Sequence, residues 1–311
     1  MKNVTLRQLK VFEAIARHLS FSRAAEELHL TQPAVSMQVK SLEDSAGLPL
    51  TEQVGKKIRL TSAGEEVART ARRIAQQLRE AEEALAAMKG AEAGRLLIGV
   101  VSTAKYFAPA LLAEFKRRHP GIELRLSVSN RGAIVRQLAE NEIDLAIMGS
   151  PPREFDTVAE VFADHPLVFI AAPGHPLAGK KKIDATALTQ EILLIREQGS
   201  GTRSALERYL EEQKVGAGET AEMSSNETLK QAVMAGMGVA FISEHTIGLE
   251  CSVNRLAILN IAGTPVKRQW HLVHRAEKRL LPAAEAFREF MRKEGARLIA
   301  AQVTPPPSRL S

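Results

Sequence analysis

At 311 residues with a formal net charge of +6, the chain is long enough for more than one core and is biased toward an anionic partner. Its single cysteine, Cys251, excludes an intrachain disulfide and fits a reducing cytosol, with a small buried hydrophobe as its expected role. No apolar run approaches the ~20 residues of a membrane span, and the first residues lack the apolar segment of a signal peptide. The expectation is a cytoplasmic protein with no membrane partner.

In chain order, Leu6, Leu9, Val11, Phe12, Ile15 and Ala16 mark an amphipathic helix. Ser22-Arg23-Ala24-Ala25-Glu26-Glu27-Leu28 reads as a second, short helix, and His29-Leu30 as a tight turn. A third helix opens at Thr31, a capping residue, with Pro33 tolerated in its first turn. Ala34, Val35, Val39 and Leu42 form its inward face, leaving Gln32, Ser36, Met37, Gln38 and Lys40 outward. Uncharged hydrogen-bonding side chains on an exposed helix suit base edges in a major groove, although a solvated helical hairpin shows the same pattern. Leu48-Pro49-Leu50 then leads into a basic hairpin, Val54 to Leu60, where Lys56, Lys57 and Arg59 are placed to meet phosphates. The order is that of a winged helix-turn-helix.

These residues resemble the DNA-binding domain of LysR-type bacterial transcriptional regulators. The likeness is carried by Leu9-Lys10-Val11-Phe12, Ser20-Phe21-Ser22-Arg23-Ala24-Ala25, Leu30-Thr31-Gln32-Pro33-Ala34-Val35-Ser36, Leu42-Glu43 and Leu60-Thr61-Ser62-Ala63-Gly64. It implies DNA contacts at Ser22, Arg23, Thr31, Gln32, Pro33, Ala34, Ser36, Met37, Gln38, Lys40, Lys56, Lys57 and Arg59. One departure is visible: the family pattern Leu-Phe-x-Arg is Leu50-Thr51-Glu52-Gln53 here, which removes an aromatic from beneath the wing and one basic contact at Gln53.

From Thr61 a long helix begins, with Ser62 and Glu65 at capping-box spacing. Val67, Ala71, Ile74, Leu78, Ala81, Leu85 and Met88 recur at alternating intervals of four and three, a heptad seam read as a dimerisation coiled coil. Two-fold pairing presents two recognition helices to a pseudo-palindromic duplex. The resemblance implies a homodimer through this helix, further assembly into tetramers, and RNA polymerase as a candidate partner.

After a glycine-flanked hinge at 91–94, strands and helices alternate, which predicts parallel-sheet α/β units. Leu96–Val101, Ile122–Val128 and Ile143–Met148 read as strands of a first lobe, and Phe162–Ala172 as a strand opening a second. Ser224-x-x-Glu227 has the form of a capping box. The predicted domains are 1–61, winged helix-turn-helix; 62–90, linker helix; 95–161 with 267–302, lobe I; 162–266, lobe II; and 303–311, a disordered tail. The fold class is α/β, and the two lobes resemble the LysR effector domain and type 2 periplasmic binding proteins. Val101 to Phe107 and Ser225 to Lys230 look most like regulators of the Calvin-cycle (RuBisCO) operon.

In open α/β sheets ligands bind at the carboxyl ends of strands, where helix N-termini favour anions. Ser102, Thr103 and Lys105; Ser129, Asn130 and Arg131; Glu197, Ser200, Thr202 and Arg203; and Asn226 and Glu227 are the candidates for an effector cleft. Plain helix capping is the alternative role for these residues. The resemblance implies a small anionic metabolite: a phosphorylated sugar, a related acid, or NADPH. No bound cofactor is expected. Gly199-Ser200-Gly201-Thr202-Arg203 lacks the P-loop ending, no Gly-x-Ser-x-Gly elbow occurs, and His271 and His274 point to opposite faces of a strand, a poor metal pair. A winged helix fused to an enzyme and a bare solute-binding module are the competing readings; neither catalysis nor a metal is expected.

Overall fold

The computed structural model describes residues 4–55, 57–88 and 94–301. The chain divides into two compact units between residues 89 and 90. Lys56, the hinge positions 91–93 and the tail at 303–311 lie outside the described residues, as does the side chain of Met88.

In the first unit, α1 (Leu6–His18), α2 (Phe21–Glu27) and α3 (Gln32–Ala46) precede the two-stranded wing, β1 (Thr51–Val54) and β2 (Lys57–Leu60), and the long α4 (Ser62–Met88). Thr5 and Gln8 close a reciprocal capping box on α1, and the Gln8 amide also donates to Ser41 Oγ at 2.9 Å, tying α1 to α3. His29 takes the left-handed conformation (φ 52°) that the tight turn needs. Thr31 Oγ1 accepts from the Ala34 amide, so α3 starts where its capping residue stands. Phe12, Ile15, Ala24, Val35, Leu42 and Leu50 are fully buried in one core. The wing is held from below by Glu43, whose Oε1 accepts from the Leu50 and Thr51 amides at 2.8 and 3.2 Å. Glu43 thus braces the backbone at Thr51, where the family aromatic is absent.

Two sequence expectations need correction here. The α4 cap is Thr61, not Ser62: Thr61 Oγ1 accepts from the Gly64 amide at 3.0 Å and donates to the Pro49 carbonyl at 2.7 Å. The heptad seam is also not one surface. Val67 and Ala71 are buried in the core of their own domain and Ile74 packs against it, whereas Leu78 and Leu85 are 44% and 59% exposed and Ala81 is exposed. The first turns of α4 lie against α1, so an apolar 3–4 repeat there serves intramolecular packing. A seam open to a partner begins at Leu78.

The second unit contains two five-stranded sheets. The first has the order β4 (Ile122–Ser129), β3 (Gly94–Val101), β5 (Leu145–Met148), β12 (Gln269–Arg275), β6 (Thr157–Asp164). The second has β11 (Ala257–Leu259), β7 (Leu167–Ala171), β10 (Val239–Ser243), β8 (Leu193–Arg196), β9 (Thr220–Met223). Helices α5 (Ala108–Arg118), α6 (Arg131–Ala139) and α10 (Pro282–Ala300) serve the first sheet; α7 (Gly201–Gln213), α8 (Asn226–Met234) and α9 (Gly248–Ser252) follow strands of the second. β3 pairs in parallel with both β4 and β5, as the alternating pattern predicts, but β12 runs antiparallel to β5 and β6 because it returns from the other lobe. Phe162–Ala172 is not one strand. Phe162 belongs to β6 in the first sheet, and His165-Pro166 carries the chain across to β7, since proline offers no ladder donor. The cap of α8 is Ser225, bonded to the Thr228 amide at 3.0 Å, one residue beyond the expected Ser224.

Gly64 explains its place in the Leu-Thr-Ser-Ala-Gly run: a Cβ there would stand 1.9 Å from the Leu50 carbonyl oxygen. Gly64→Ala is expected to destabilise the first unit by about 3 kcal/mol through overpacking against backbone that cannot yield. Gly216→Ala, where nothing lies within 4 Å, serves as a near-neutral control in the same thermal denaturation.

Candidate functional site

On α3, Gln32, Pro33, Ser36, Met37 and Lys40 are exposed, Ala34 and Gln38 half-buried, and Thr31 exposed at the cap. Ser22 and Arg23 at the start of α2 are exposed beside them, and Ser22 Oγ donates to Gln32 Oε1 at 3.2 Å. Lys57 and Arg59 are exposed on β2. Gln53 turns its amide back onto the Gly55 carbonyl within the wing.

The second unit holds a cleft of about 390 Å³, mouth included, at the carboxyl ends of β3, β4 and β5 and the start of α7. Of the residues expected there, it brings together Ser102, Thr103, Asn130, Arg131, Ser200 and Thr202. Asn130 Oδ1 caps α6 through the Ala133 amide at 2.9 Å. Ser200 makes no side-chain cap on α7, so the first-turn amides of that helix are not answered by their own N-cap residue.

The other expected residues lie outside the cleft lining. Arg203 is engaged by Glu207 at 3.0 Å and Glu222 at 2.6 Å. Glu197 pairs with the buried Arg196, which also donates to Asn226 and, at 3.4 Å, to Ser102 Oγ. Glu227 accepts from Tyr106 Oη at 2.5 Å and pairs with the buried Lys230 at 3.2 Å. Lys105 lies over the Tyr106 ring at 5.1 Å, and the Ser129 carbonyl accepts from the Ser102 amide at 2.7 Å. Glu197 and Asn226 therefore belong to a polar cluster on Arg196 that reaches Ser102 of the other lobe, and Glu227 makes a separate link to that lobe through Tyr106.

Met148, Gly149, Ser150, His165, Gly201 and Arg268 line the cleft without having been anticipated. Met148 to Ser150 end β5, so the strand-end rule that found Ser102 and Asn130 reaches them too. His165 and Arg268 sit on the two crossovers, which carry no periodic signal. The Arg268 guanidinium donates to the Gly201 and Gly149 carbonyls at 3.2 and 3.1 Å and to Ser150 Oγ. Burial, together with Arg208 and Arg131, pulls Arg268 below the ordinary guanidinium range. The lining carries Arg131 and Arg268 but no carboxylate. Hydroxyls, helix-start amides and two guanidiniums, of which Arg131 also reaches Glu154 outside the lining at 3.4 Å, make an anion site.

Beneath the cleft, His165 stacks on Trp270 (centroids 3.8 Å, 16°), and Trp270 Nε1 donates to His245 Nδ1 at 3.0 Å. Burial lowers His245 to about 4, consistent with the neutral acceptor that the Trp270 bond requires.

Comparison with known proteins decides the family. Residues 6–65 match the bacterial regulatory helix-turn-helix protein, lysR family, and residues 89–296 match the LysR substrate binding domain. The chain belongs to the LysR family. A RuBisCO operon transcriptional regulator of Allochromatium vinosum is 53% identical over 296 residues, 95% of this chain and 98% of that protein. The Synechocystis CcmR regulatory domain, solved in complex with 2-PG, is 42% identical with TM-score 0.62, covering 64% of this chain and 96% of that one. Full-length OxyR from Pseudomonas aeruginosa has TM-score 0.71 at 25% identity, covering 99% and 96%. This LysR-type regulator is thus a DNA-binding protein with an effector domain of two α/β lobes. No helix among its described residues is long and apolar enough to cross a membrane, and no group of three metal-ligating side chains occurs among them.

The histidine pair gives the LysR regulator a defined response to acid. Both His165 and His245 titrate below their ordinary value of 6.5 in the folded state, so the unfolded chain binds more protons as the pH falls. Stability is full above about pH 6.5 and is lost as pH falls toward 4, His245 alone accounting for about 3 kcal/mol. Urea unfolding followed by the fluorescence of Trp270, the only tryptophan, checks this: His245→Gln is expected to flatten the slope between pH 6.5 and 5.

Proposed function

We propose that this regulator activates carbon-fixation genes in response to a small anionic metabolite bound between its two lobes, and that it acts as a cytoplasmic protein without catalytic activity. The observation that carries the effector reading is the acid-free cleft, where Arg131, Arg268 and the start of α7 converge on hydroxyls from both lobes. The relatives suggest the gene target and the ligand class, since a RuBisCO operon regulator is 53% identical and a 42% identical domain was solved with 2-PG.

For DNA, the reading assigns base contacts to Gln32, Ser36 and Met37 on α3 and phosphate contacts to Arg23, Lys40, Lys57 and Arg59. Exposed, short and uncharged residues on α3 suit base edges, and the basic residues around them suit the backbone. The exposed Leu78, Ala81 and Leu85 are the seam for a homodimer on a pseudo-palindromic operator, with further assembly to a tetramer and contact with RNA polymerase. Effector binding shifts the balance between two arrangements of the lobes and thereby the bend and spacing of the bound operator.

Two measurements separate these assignments. Gln32→Ala with Ser36→Ala is expected to cost about 1–3 kcal/mol of discrimination per base contact, read by competition between the operator and single-base variants. Lys57→Ala is expected to weaken all sequences alike and to reduce the salt slope by about 1. Unchanged sequence preference in the double variant removes α3 as the reading element. For the effector, footprinting of the upstream DNA with and without 2-PG, repeated with Arg131→Ala, tests the cleft; an identical metabolite response in that variant removes it.

A further inference from the structure

The cleft contains one polar side chain that nothing in the protein satisfies. His165 is 4% exposed, and both of its ring nitrogens are buried without a hydrogen-bond partner. Buried polar groups are nearly always paired, so an orphaned imidazole in a cleft wall points to a ligand that is not part of the chain. Its placement is enforced rather than incidental. The ring lies flat against Trp270, and its Nδ1 packs so closely on Gly149 that a Cβ there would stand 2.7 Å away. Its own amide donates to the Arg268 carbonyl at 2.8 Å, fixing it beside the cleft's buried guanidinium.

We propose that anion binding in this cleft draws one proton onto His165, so that ligand and proton are taken up together. The inference rests on the effector reading above and deepens it by naming how the site senses charge. Without ligand, every charged or titratable group that acts on the ring opposes protonation: burial first, then Arg268, His245 and His271. Of the carboxylates around the cleft, Asp164 acts on His245 and Glu154 pairs with Arg131 at 3.4 Å. An anion placed among Arg131, Arg268 and His165 reverses that balance, because it supplies the only negative charge in a lining that has none of its own. The imidazolium so formed gains a second favourable contact, since it lies over the Trp270 face in cation–π geometry. Arginines do not titrate in this range, whereas the ligand and other histidines do, so the proton assigned to His165 is the difference in uptake between the wild type and its His165 variants.

Calorimetric titration of the full-length protein with 2-PG, in buffers of differing ionisation heat from pH 6 to 8, measures the protons exchanged. The expected result is a proton uptake greater in the wild type than in the His165 variants by up to about one per site on the acid side of this window, with quenching of the lone Trp270. His165→Gln is expected to bind 2-PG more weakly and to lose the uptake; His165→Phe, which keeps the stack on Trp270, repeats the test if the glutamine variant does not fold. Proton exchange on 2-PG binding that is the same in the wild type and in the His165 variants overturns the assignment of His165 and leaves the cleft standing. Failure of both 2-PG and inorganic phosphate to bind the wild type overturns the effector reading itself, and this inference with it.

Discussion

Everything in the effector unit depends on a ribbon of two chain crossings that hydrogen-bond to each other. The Leu167 amide donates to the Val266 carbonyl at 3.0 Å, the return bond is 2.8 Å, and the His165 amide donates to the Arg268 carbonyl at 2.8 Å. A single tether would leave the lobes free to swivel. A paired ribbon restricts them to bending, which is a hinge in the physical sense. The same ribbon carries the His165 and Arg268 side chains into the floor of the cleft, with Trp270 wedged immediately behind. The residues that set the hinge therefore also line the cleft.

The charge distribution around that ribbon sets Arg268 apart from the other arginines of the unit, the cleft's own Arg131, 3.4 Å from Glu154, included. Elsewhere arginines find acids: Arg117 and Arg118 on Glu114, Arg203 on Glu207 and Glu222, Arg275 on Glu277. The most buried of them, Arg196, has Glu197. Lys278 and Asp144, both nearly inaccessible, pair at 2.8 Å beside β5, and the second carboxylate oxygen of Asp144 accepts from the Leu97 amide. Against this background Arg268 stands out, because its partners are carbonyls and a hydroxyl. A buried cation left with neutral partners keeps an unspent attraction for negative charge.

How much of this was legible in the sequence follows the range of the interactions. The helix-turn-helix is built from short-range contacts, Thr31 capping Ala34 three residues on and Ser20 capping Arg23 at the same interval, so its pattern survives in one dimension. The strand-end half of the cleft, Ser102, Thr103, Asn130 and Arg131, was legible because those residues directly follow apolar runs. Arg203 and Glu227 satisfied the same rule yet find partners on neighbouring elements, which no local pattern records. His165 and Arg268 were illegible for a different reason: they meet across about a hundred residues, in crossings with no period. The linker repeat was ambiguous in kind, since an interval of four and three identifies an apolar face but not whose core it enters. Val67 and Ala71 enter their own domain's core, while Leu78 and Leu85 remain on the surface.

The energetics of a two-state response explain why the cleft must draw on both lobes and the hinge at once. A ligand shifts an equilibrium only by its difference in affinity for the two states, and a change from 1:99 to 99:1 requires about 5.5 kcal/mol of difference. Contacts confined to one lobe are the same whether the lobes are open or closed and supply none of it. Here Thr103 and Arg131 come from the first lobe, Ser200 and Thr202 from the second, and Arg268 and His165 from the ribbon between. The lobes already touch across this line, through the Gly132 amide on the Gly199 carbonyl at 3.3 Å and Arg268 on Gly201 at 3.2 Å. These two bonds have neutral acceptors, and the Tyr106–Glu227 and Arg196–Ser102 contacts join the lobes beside them; charge-assisted bonds to an anion exceed the neutral ones by roughly a factor of two each. A handful of such bonds spanning the cleft is enough to supply the required difference, so the chemistry of the lining and the two-state response are one requirement.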